Sequence, residues 1–184
     1  MEKRRNRWIS MLLVFGAVVG IYVLIQVFSG LYPFGEKSNL LWDQDVQYVD
    51  FFAFYKDVLT GKADIGYSFS KSAGGSLVAL FGYYLGCPLN LLVIFFEKEQ
   101  LPLFIFLLTA VKLGLCAITA NIYFSRRFPG LSLQLNGMLS VAYGLMQYNM
   151  RQVSNIMWLD GVILLPLLLL AVYEFIEYKK MCGL

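Results

Sequence analysis

The chain has 184 residues, of which 59% are hydrophobic and 15% are charged, and its formal net charge is +3. A soluble domain of this length could not bury so much apolar surface, so the composition predicts a membrane protein and excludes a soluble enzyme or a disordered chain. A nucleic-acid-binding protein is excluded too, because its basic face would show in the charge balance. Histidine is absent and the three cysteines are far apart, which argues against a metal site or histidine-dependent catalysis.

The N-terminus combines a basic cluster at residues 1–7 with an uninterrupted apolar run at residues 8–28. About 20 apolar residues are enough for a helix to cross the hydrocarbon core. The run is longer than the apolar region of a signal peptide and no small-residue cleavage site follows it, so an uncleaved transmembrane helix is predicted. The basic cluster places the N-terminus in the cytoplasm, by the positive-inside rule.

Three further segments are predicted to cross the membrane, over residues 101–124, 131–148 and 156–175. The segment at residues 131–148 contains several polar side chains and is expected to face other helices instead of lipid. With four crossings, residues 176–184 form a cytoplasmic end, and both termini lie on the same side. The predicted fold class is therefore an all-α, polytopic membrane protein.

Residues 29–100 form one long, net acidic external region in this topology. Within it, residues 77–96 are apolar but are interrupted by Gly82, Gly86 and Pro88. A full crossing here would put the next basic cluster outside the cell, against the positive-inside rule. We therefore expect a re-entrant or interfacial helical pair, and a full crossing is the alternative.

An amphipathic helix is predicted over residues 46–60 of the external region. Apolar side chains recur there at intervals of three and four residues. Their aromatic content is typical of a helix that lies in the lipid headgroup layer. The members of this stripe are Tyr48, Phe51, Phe52, Tyr55, Val58 and Leu59.

Asp43 and Asp45 come at the start of this helix, and two interpretations compete for them. In the first, Asp45 is the N-cap of the helix and Asp43 is merely solvated. In the second, one of the two carboxylates is the general base of a reaction between a lipid-borne substrate and a hydroxyl acceptor.

A stretch rich in glycine and serine precedes the apolar segment and contains Lys71, Gly74 and Gly75. Adjacent glycines let backbone N–H groups approach an anion closely, and a lysine adds positive charge, so these residues are candidates for phosphate binding. The stretch lacks the Walker pattern of nucleotide-binding loops. A flexible connector is the alternative interpretation.

Two ionisable residues lie inside predicted spans. Lys112 is about eleven residues from either end of its helix, too deep to reach the membrane surface, so it is expected to face a polar cavity or an acidic partner. Asp160 lies a few residues into the last span, near its external end. Together they are candidates for holding a phosphate-bearing ligand and its acceptor.

The order and spacing of several short motifs resemble the N-terminal region of the YfhO family of bacterial integral membrane proteins. The resemblance covers most of the chain from about Leu40 to Glu174. The motifs are Asp43-x-x-x-Gln47-Tyr48, Phe51-Phe52, Ser68-Phe69-Ser70, Gly74-Gly75, Tyr83-Tyr84-Leu85, Pro88-Leu89-Asn90, Met157-Trp158-Leu159-Asp160 and Leu165-Pro166.

That family is similar to the C-fold glycosyltransferases, so the resemblance implies transfer of sugar from a polyprenyl-phosphate carrier to a cell-envelope polymer of the teichoic-acid type. It implies a bacterial cell-membrane location, Asp43 and Asp45 as catalytic residues, and Gln47 and Tyr48 in substrate binding beside the candidates above. No cofactor is implied, and a divalent metal is left open. We expect the chain to be the N-terminal part of a longer protein and to be inactive on its own.

A different class of function competes with the enzyme. A non-catalytic membrane protein, either a transporter or flippase component or a subunit that packs against a membrane-protein partner, would use Lys112 and the polar span at residues 131–148 for helix contacts. A truncated remnant without activity is the third possibility.

Overall fold

The computed structural model describes residues 2–68 and 74–178, with side chains from residue 7 to residue 177. The described part contains no β-strand. Three helical segments, Arg7–Ser29, Lys98–Arg127 and Trp158–Glu177, are long and apolar enough to cross a membrane. A fourth candidate is a bent pair, Val78–Leu85 with Pro88–Phe95. The predicted all-α, polytopic fold class is thus confirmed.

The chain divides into two compact units. The first unit comprises residues 1–28 and 109–184, and the second comprises residues 29–108. Helices are named in chain order: α1 Glu2–Ser29, α2 Val49–Leu59, α3 Val78–Leu80, α4 Leu101–Arg127, α5 Leu133–Gly144, α6 Gln147–Arg151 and α7 Trp158–Tyr178.

In the first unit, α1 and α4 are antiparallel. Near one end, the side-chain amide of Asn121 donates to the hydroxyl of Ser10 at 3.2 Å. Farther along, the Phe15 ring of α1 covers Gly114 of α4 so closely that any side chain at position 114 would clash with it. Because Gly114 accommodates the ring only by lacking a Cβ, glycine is needed there for the helices to approach.

Helix α7 runs parallel to α4, as two ion pairs show. Lys112 pairs with Asp160 at 2.9 Å, and Arg126 pairs with Glu174 at 3.5 Å. Along both helices the residue numbers of these pairs rise in the same direction. Between residues 128 and 156 the chain must therefore return from the level of Arg126 to the level of Lys112, a distance of about 20 Å along the helix.

The return begins with α5, which is antiparallel to α4. Its 12 residues extend about 18 Å, too short for the single span predicted over residues 131–148. The helix ends at Gly144, where the side-chain amide of Asn149 replaces the backbone as the hydrogen-bond donor. It donates to the backbone carbonyls of Tyr143 at 2.8 Å and Gly144 at 3.0 Å. Helix α6 and the 3₁₀ turn Gln152–Ser154 complete the return, so this segment is a broken helix.

Buried polar side chains connect α1, α4 and α5. Asn121, which is fully buried, donates to Ser10 and to Ser140 at 3.2 and 3.3 Å. Asn136 donates to Ser125 at 2.7 Å. Hydrogen bonds of this kind associate helices where lipid supplies no hydrophobic driving force. The polar character of residues 131–148 is thus used for helix contacts at Asn136 and Ser140, whereas Gln134 and Gln147 are exposed.

The connection between α1 and α4 contains the bent pair Val78–Leu85 with Pro88–Phe95, whose halves meet at 98°. Such a pair is either a broken span or a re-entrant loop, so both arrangements considered for residues 77–96 stay open.

The second unit is built around α2, which is preceded by a π-helical turn at Gln44–Tyr48. The aromatic stripe predicted to face the headgroup layer instead packs inside the protein: Tyr48, Phe52 and Tyr55 are all buried. Phe52 lies edge-on to Phe104 of α4, with ring centroids 4.9 Å apart. The rings face protein because the connection supplies aromatic partners of its own.

Charged contacts fix the far end of α2 to the segment that precedes α4. Lys56 donates to the Phe96 carbonyl and to the Glu97 carboxylate, the latter at 3.0 Å. Asp57 pairs with Lys98 at 2.6 Å. These contacts hold α2 in a fixed register within its unit.

Candidate functional site

Asp43 lies immediately before the π-helical turn, half-buried, and accepts a hydrogen bond from the side-chain amide of Gln47 at 3.4 Å. The two side chains share a face because they are four residues apart in helical backbone. The Gln47 carbonyl accepts in turn from the hydroxyl of Tyr84 at 3.0 Å. A chain of three polar groups thus ends on the carboxylate of Asp43.

Neighbouring aromatic rings hold the Tyr84 side chain in place beside Gln47. Its ring centroid lies 5.5 Å from that of Tyr48 and 4.9 Å from that of Phe51. These ring contacts keep the hydroxyl of Tyr84 within hydrogen-bond distance of the Gln47 carbonyl.

Asp45 is exposed and lies inside the turn that begins at Gln44. The interpretation of Asp45 as the N-cap is therefore wrong. The cap position belongs to Asp43, whose backbone is already helical and whose side chain makes no capping hydrogen bond within the described part of the chain. The carboxylates of Asp43 and Asp45 are thus not taken up by capping.

Tyr48 was predicted to bind substrate, but only 1% of its surface is exposed. Its ring packs against Phe52 and Tyr84, with centroids 6.0 and 5.5 Å away. Any influence of Tyr48 on a ligand therefore acts through the position of Tyr84.

The two glycines of the predicted phosphate cradle have structural roles. Gly75 exchanges both backbone hydrogen bonds with Ser68, each at 3.0 Å, so its N–H group is not offered to an anion. Gly74 has a left-handed φ of +103°, and the hydroxyl of Tyr67 occupies the space that a Cβ would fill. Lys71, the third member of the predicted cradle, lies outside the described residues.

In the first unit, Lys112 and Asp160 form a buried ion pair. The lysine side chain is 1% exposed and the aspartate side chain is 29% exposed. The ammonium group also donates to the Ile156 carbonyl at 3.1 Å, just before α7 begins. Lys112 thus has an acidic partner within its own chain, and the carboxylate of Asp160 keeps part of its surface accessible.

Sequence reasoning did not assign Tyr84 to the Asp43 group. The tyrosine lies 37 residues from Gln47, inside an apolar segment, and its only sequence signal is a hydroxyl in a stretch otherwise poor in polar groups. The described residues contain no cluster of three or more acidic or cysteine side chains that could hold a metal ion.

Comparison with known proteins identifies a family over nearly the whole chain. The family model described as bacterial membrane protein YfhO matches residues 14–184, which confirms the resemblance seen in the short motifs. No curated protein and no solved structure matches the chain.

Proposed function

We propose a function for this chain, which belongs to the YfhO family of bacterial membrane proteins. In our proposal it is the N-terminal part of a membrane glycosyltransferase. The enzyme transfers sugar from a polyprenyl-phosphate carrier to a cell-envelope polymer of the teichoic-acid type, on the outer face of the bacterial cell membrane. The observation that carries the proposal is the group formed by Asp43, Gln47 and Tyr84.

The proposed reaction gives each of these residues a role. The acceptor hydroxyl oxygen attacks the anomeric carbon of the sugar, and its proton passes to the carboxylate of Asp43. The bond from that carbon to the carrier phosphate breaks, and its electron pair leaves with the phosphate. Gln47, held by Tyr84, orients the carboxylate. General base catalysis of this kind contributes about 10²- to 10⁴-fold to a rate.

The local geometry supports Asp43 as the base in preference to Asp45. Asp43 is half-buried and is positioned by a side chain that is itself hydrogen-bonded, whereas Asp45 is exposed. Orientation of this kind keeps a base aligned with its substrate. We therefore assign Asp45 to the accessible rim of the site.

Lys112 and Asp160 enter the proposal in a modified form. Because Asp160 already compensates the charge of Lys112, the lysine is poorly suited to neutralising a phosphate. We propose that the pair fixes the start of α7 and that the accessible part of the Asp160 carboxylate helps to align a ligand.

We also propose that both termini are cytoplasmic. The support is that Arg7 of α1 and Arg126 of α4 line a single cavity, so the basic residues of separate segments lie at one end of the first unit. Basic residues are retained on the cytoplasmic side.

The proposal is tested in a bacterial strain from which the gene for this protein is deleted and in which the full-length protein is expressed from a plasmid. The change Asp43→Asn preserves size and removes the base, and we expect it to abolish sugar attachment to the extracted envelope polymer, measured by mass spectrometry. Asp50→Asn is the matched control, because Asp50 is an exposed aspartate in the first turn of α2. Unchanged glycosylation in the Asp43→Asn strain would instead favour a non-catalytic membrane subunit.

A further inference from the structure

A polar cavity of about 530 Å³ opens at the end of the first unit where Arg7 and Arg126 lie. Its lining includes Arg7, Ser125, Arg126, Asn136 and Glu174. Arg126 pairs with Glu174 at 3.5 Å, and Arg7 adds a second positive charge to the lining. Among the described lining residues there is therefore an excess of positive charge, which fits an anionic ligand.

Arg127 adds to the positive charge at this end of the unit. Its guanidinium lies 4.2 Å from the ring centroid of Tyr173 and 4.9 Å from that of Phe128. Both aromatic residues line the cavity. Stacking of this kind holds the charge in a defined place near the cavity.

An apolar groove of about 680 Å³ lies between α1 and α5 and adjoins the polar cavity through a shared lining residue, Leu133. It extends from Ile9 to Ala17 along α1 and from Leu133 to Ala142 along α5, about 12 to 13 Å on each helix. Gly137 lies in the groove and has nothing nearer than Val14, 4.0 Å from where its Cβ would be. The missing side chain keeps the groove open.

We infer that the cavity and groove together form a binding site for an anionic phospholipid. The headgroup phosphate lies against Arg7 and Arg126, and one acyl chain follows the groove along α1 and α5. A soluble anion would use the cavity and leave the groove without an occupant. An apolar helix would fill the groove and leave the excess positive charge uncompensated. Only an amphipathic ligand with an anionic head matches both parts.

The site is tested by native mass spectrometry of the full chain in detergent, titrated separately with dioleoylphosphatidylglycerol, dioleoylphosphatidylcholine and inorganic phosphate. We expect the anionic lipid to bind at least about tenfold more tightly than the zwitterionic lipid, and inorganic phosphate not to displace it. Arg7→Gln and Arg126→Gln should each weaken binding of the anionic lipid about fivefold, the effect of one basic residue at an anionic membrane surface. Arg151→Gln, at an exposed arginine outside the cavity, is the control and should bind normally.

The groove is tested independently by Gly137→Leu, which fills it. This variant should weaken binding of the anionic lipid about tenfold. Gly20→Leu should leave binding unchanged, because Gly20 lies on α1 beyond the groove and has open space around its Cβ position. If Arg126→Gln disrupts folding, Arg7→Gln and Gly137→Leu still decide the result. Equal affinity for the two lipids, displacement by inorganic phosphate, or equal effects in site and control variants would overturn the inference.

Discussion

The ion pair between Lys112 and Asp160 makes unequal predictions for its two members. Asp160→Asn leaves the ammonium group of Lys112 without its counter-ion at a position only 1% exposed. Removing one partner of a buried pair in this way destabilises a protein by about 3 to 5 kcal/mol. Lys112→Met instead leaves a carboxylate that is 29% exposed and can be solvated, so we expect a smaller loss of about 1 to 2 kcal/mol.

The double variant distinguishes this account from simple additivity. Replacing both members removes the uncompensated charge, so Lys112→Met should recover about 2 kcal/mol or more of the stability lost in Asp160→Asn. The free energy of unfolding is measured by denaturant titration or steric trapping in detergent micelles, with Asp50→Asn as the surface control. Additive losses, or a larger loss for Lys112→Met than for Asp160→Asn, would show that Asp160 does not compensate a buried charge on Lys112.

Three further predictions concern the helix contacts, the topology and Tyr84. Asn121→Ala should lower the free energy of unfolding by about 1 to 2 kcal/mol, since two interhelical hydrogen bonds are lost, whereas Gln134→Ala on the exposed face of α5 should have little effect. In intact cells, an impermeant thiol reagent should label cysteine introduced at Glu97 and not at Arg126; the reverse pattern would disprove the proposed orientation. Tyr84→Phe removes the hydroxyl that donates to Gln47, so it should lower the rate of sugar transfer by the full-length protein without preventing folding; an unchanged rate would contradict a role for Tyr84 in positioning Gln47.

The three long spans could be predicted because each is an uninterrupted apolar run. The runs at residues 8–28, 101–124 and 156–175 correspond to α1, α4 and α7. Helix α1 begins six residues before its apolar run, α4 and α7 each end three residues after theirs, and α7 begins two residues late. Hydropathy could not predict the break in the segment at residues 131–148. That break depends on hydrogen bonds from the side chain of Asn149, a contact that carries no apolar signal.

The candidate site was accessible to sequence reasoning only in part. The four-residue spacing of Asp43 and Gln47 places them on one face of a helix, and in the structure their side chains are hydrogen-bonded. The interpretation of Asp45 as the N-cap fails because helical structure begins two residues earlier than predicted, at Gln44, in the π-helical segment that leads into α2. Tyr84 could not have been assigned, since its contact with Gln47 depends on how the bent segment packs against α2.

The depth of Lys112 in its helix predicts an acidic partner or a polar cavity, but it does not identify the residue that supplies the charge. A charge at that depth requires a counter-ion or a polar cavity, and the structure supplies Asp160 from the same chain. Because 48 residues separate Lys112 from Asp160, the sequence alone does not single out Asp160 as the partner of the lysine.

The most direct test of the proposed function measures sugar transfer in membrane vesicles that contain the full-length protein. The vesicles are supplied with lipid-linked sugars and envelope polymer extracted from the same bacterium, and release of polyprenyl phosphate is followed by mass spectrometry. We expect Asp43→Asn to lower the initial rate by about 10²- to 10⁴-fold, whereas Asp50→Asn should retain the rate of the unaltered protein. Equal rates for the Asp43→Asn variant and the unaltered protein would contradict the assignment of Asp43 as the general base.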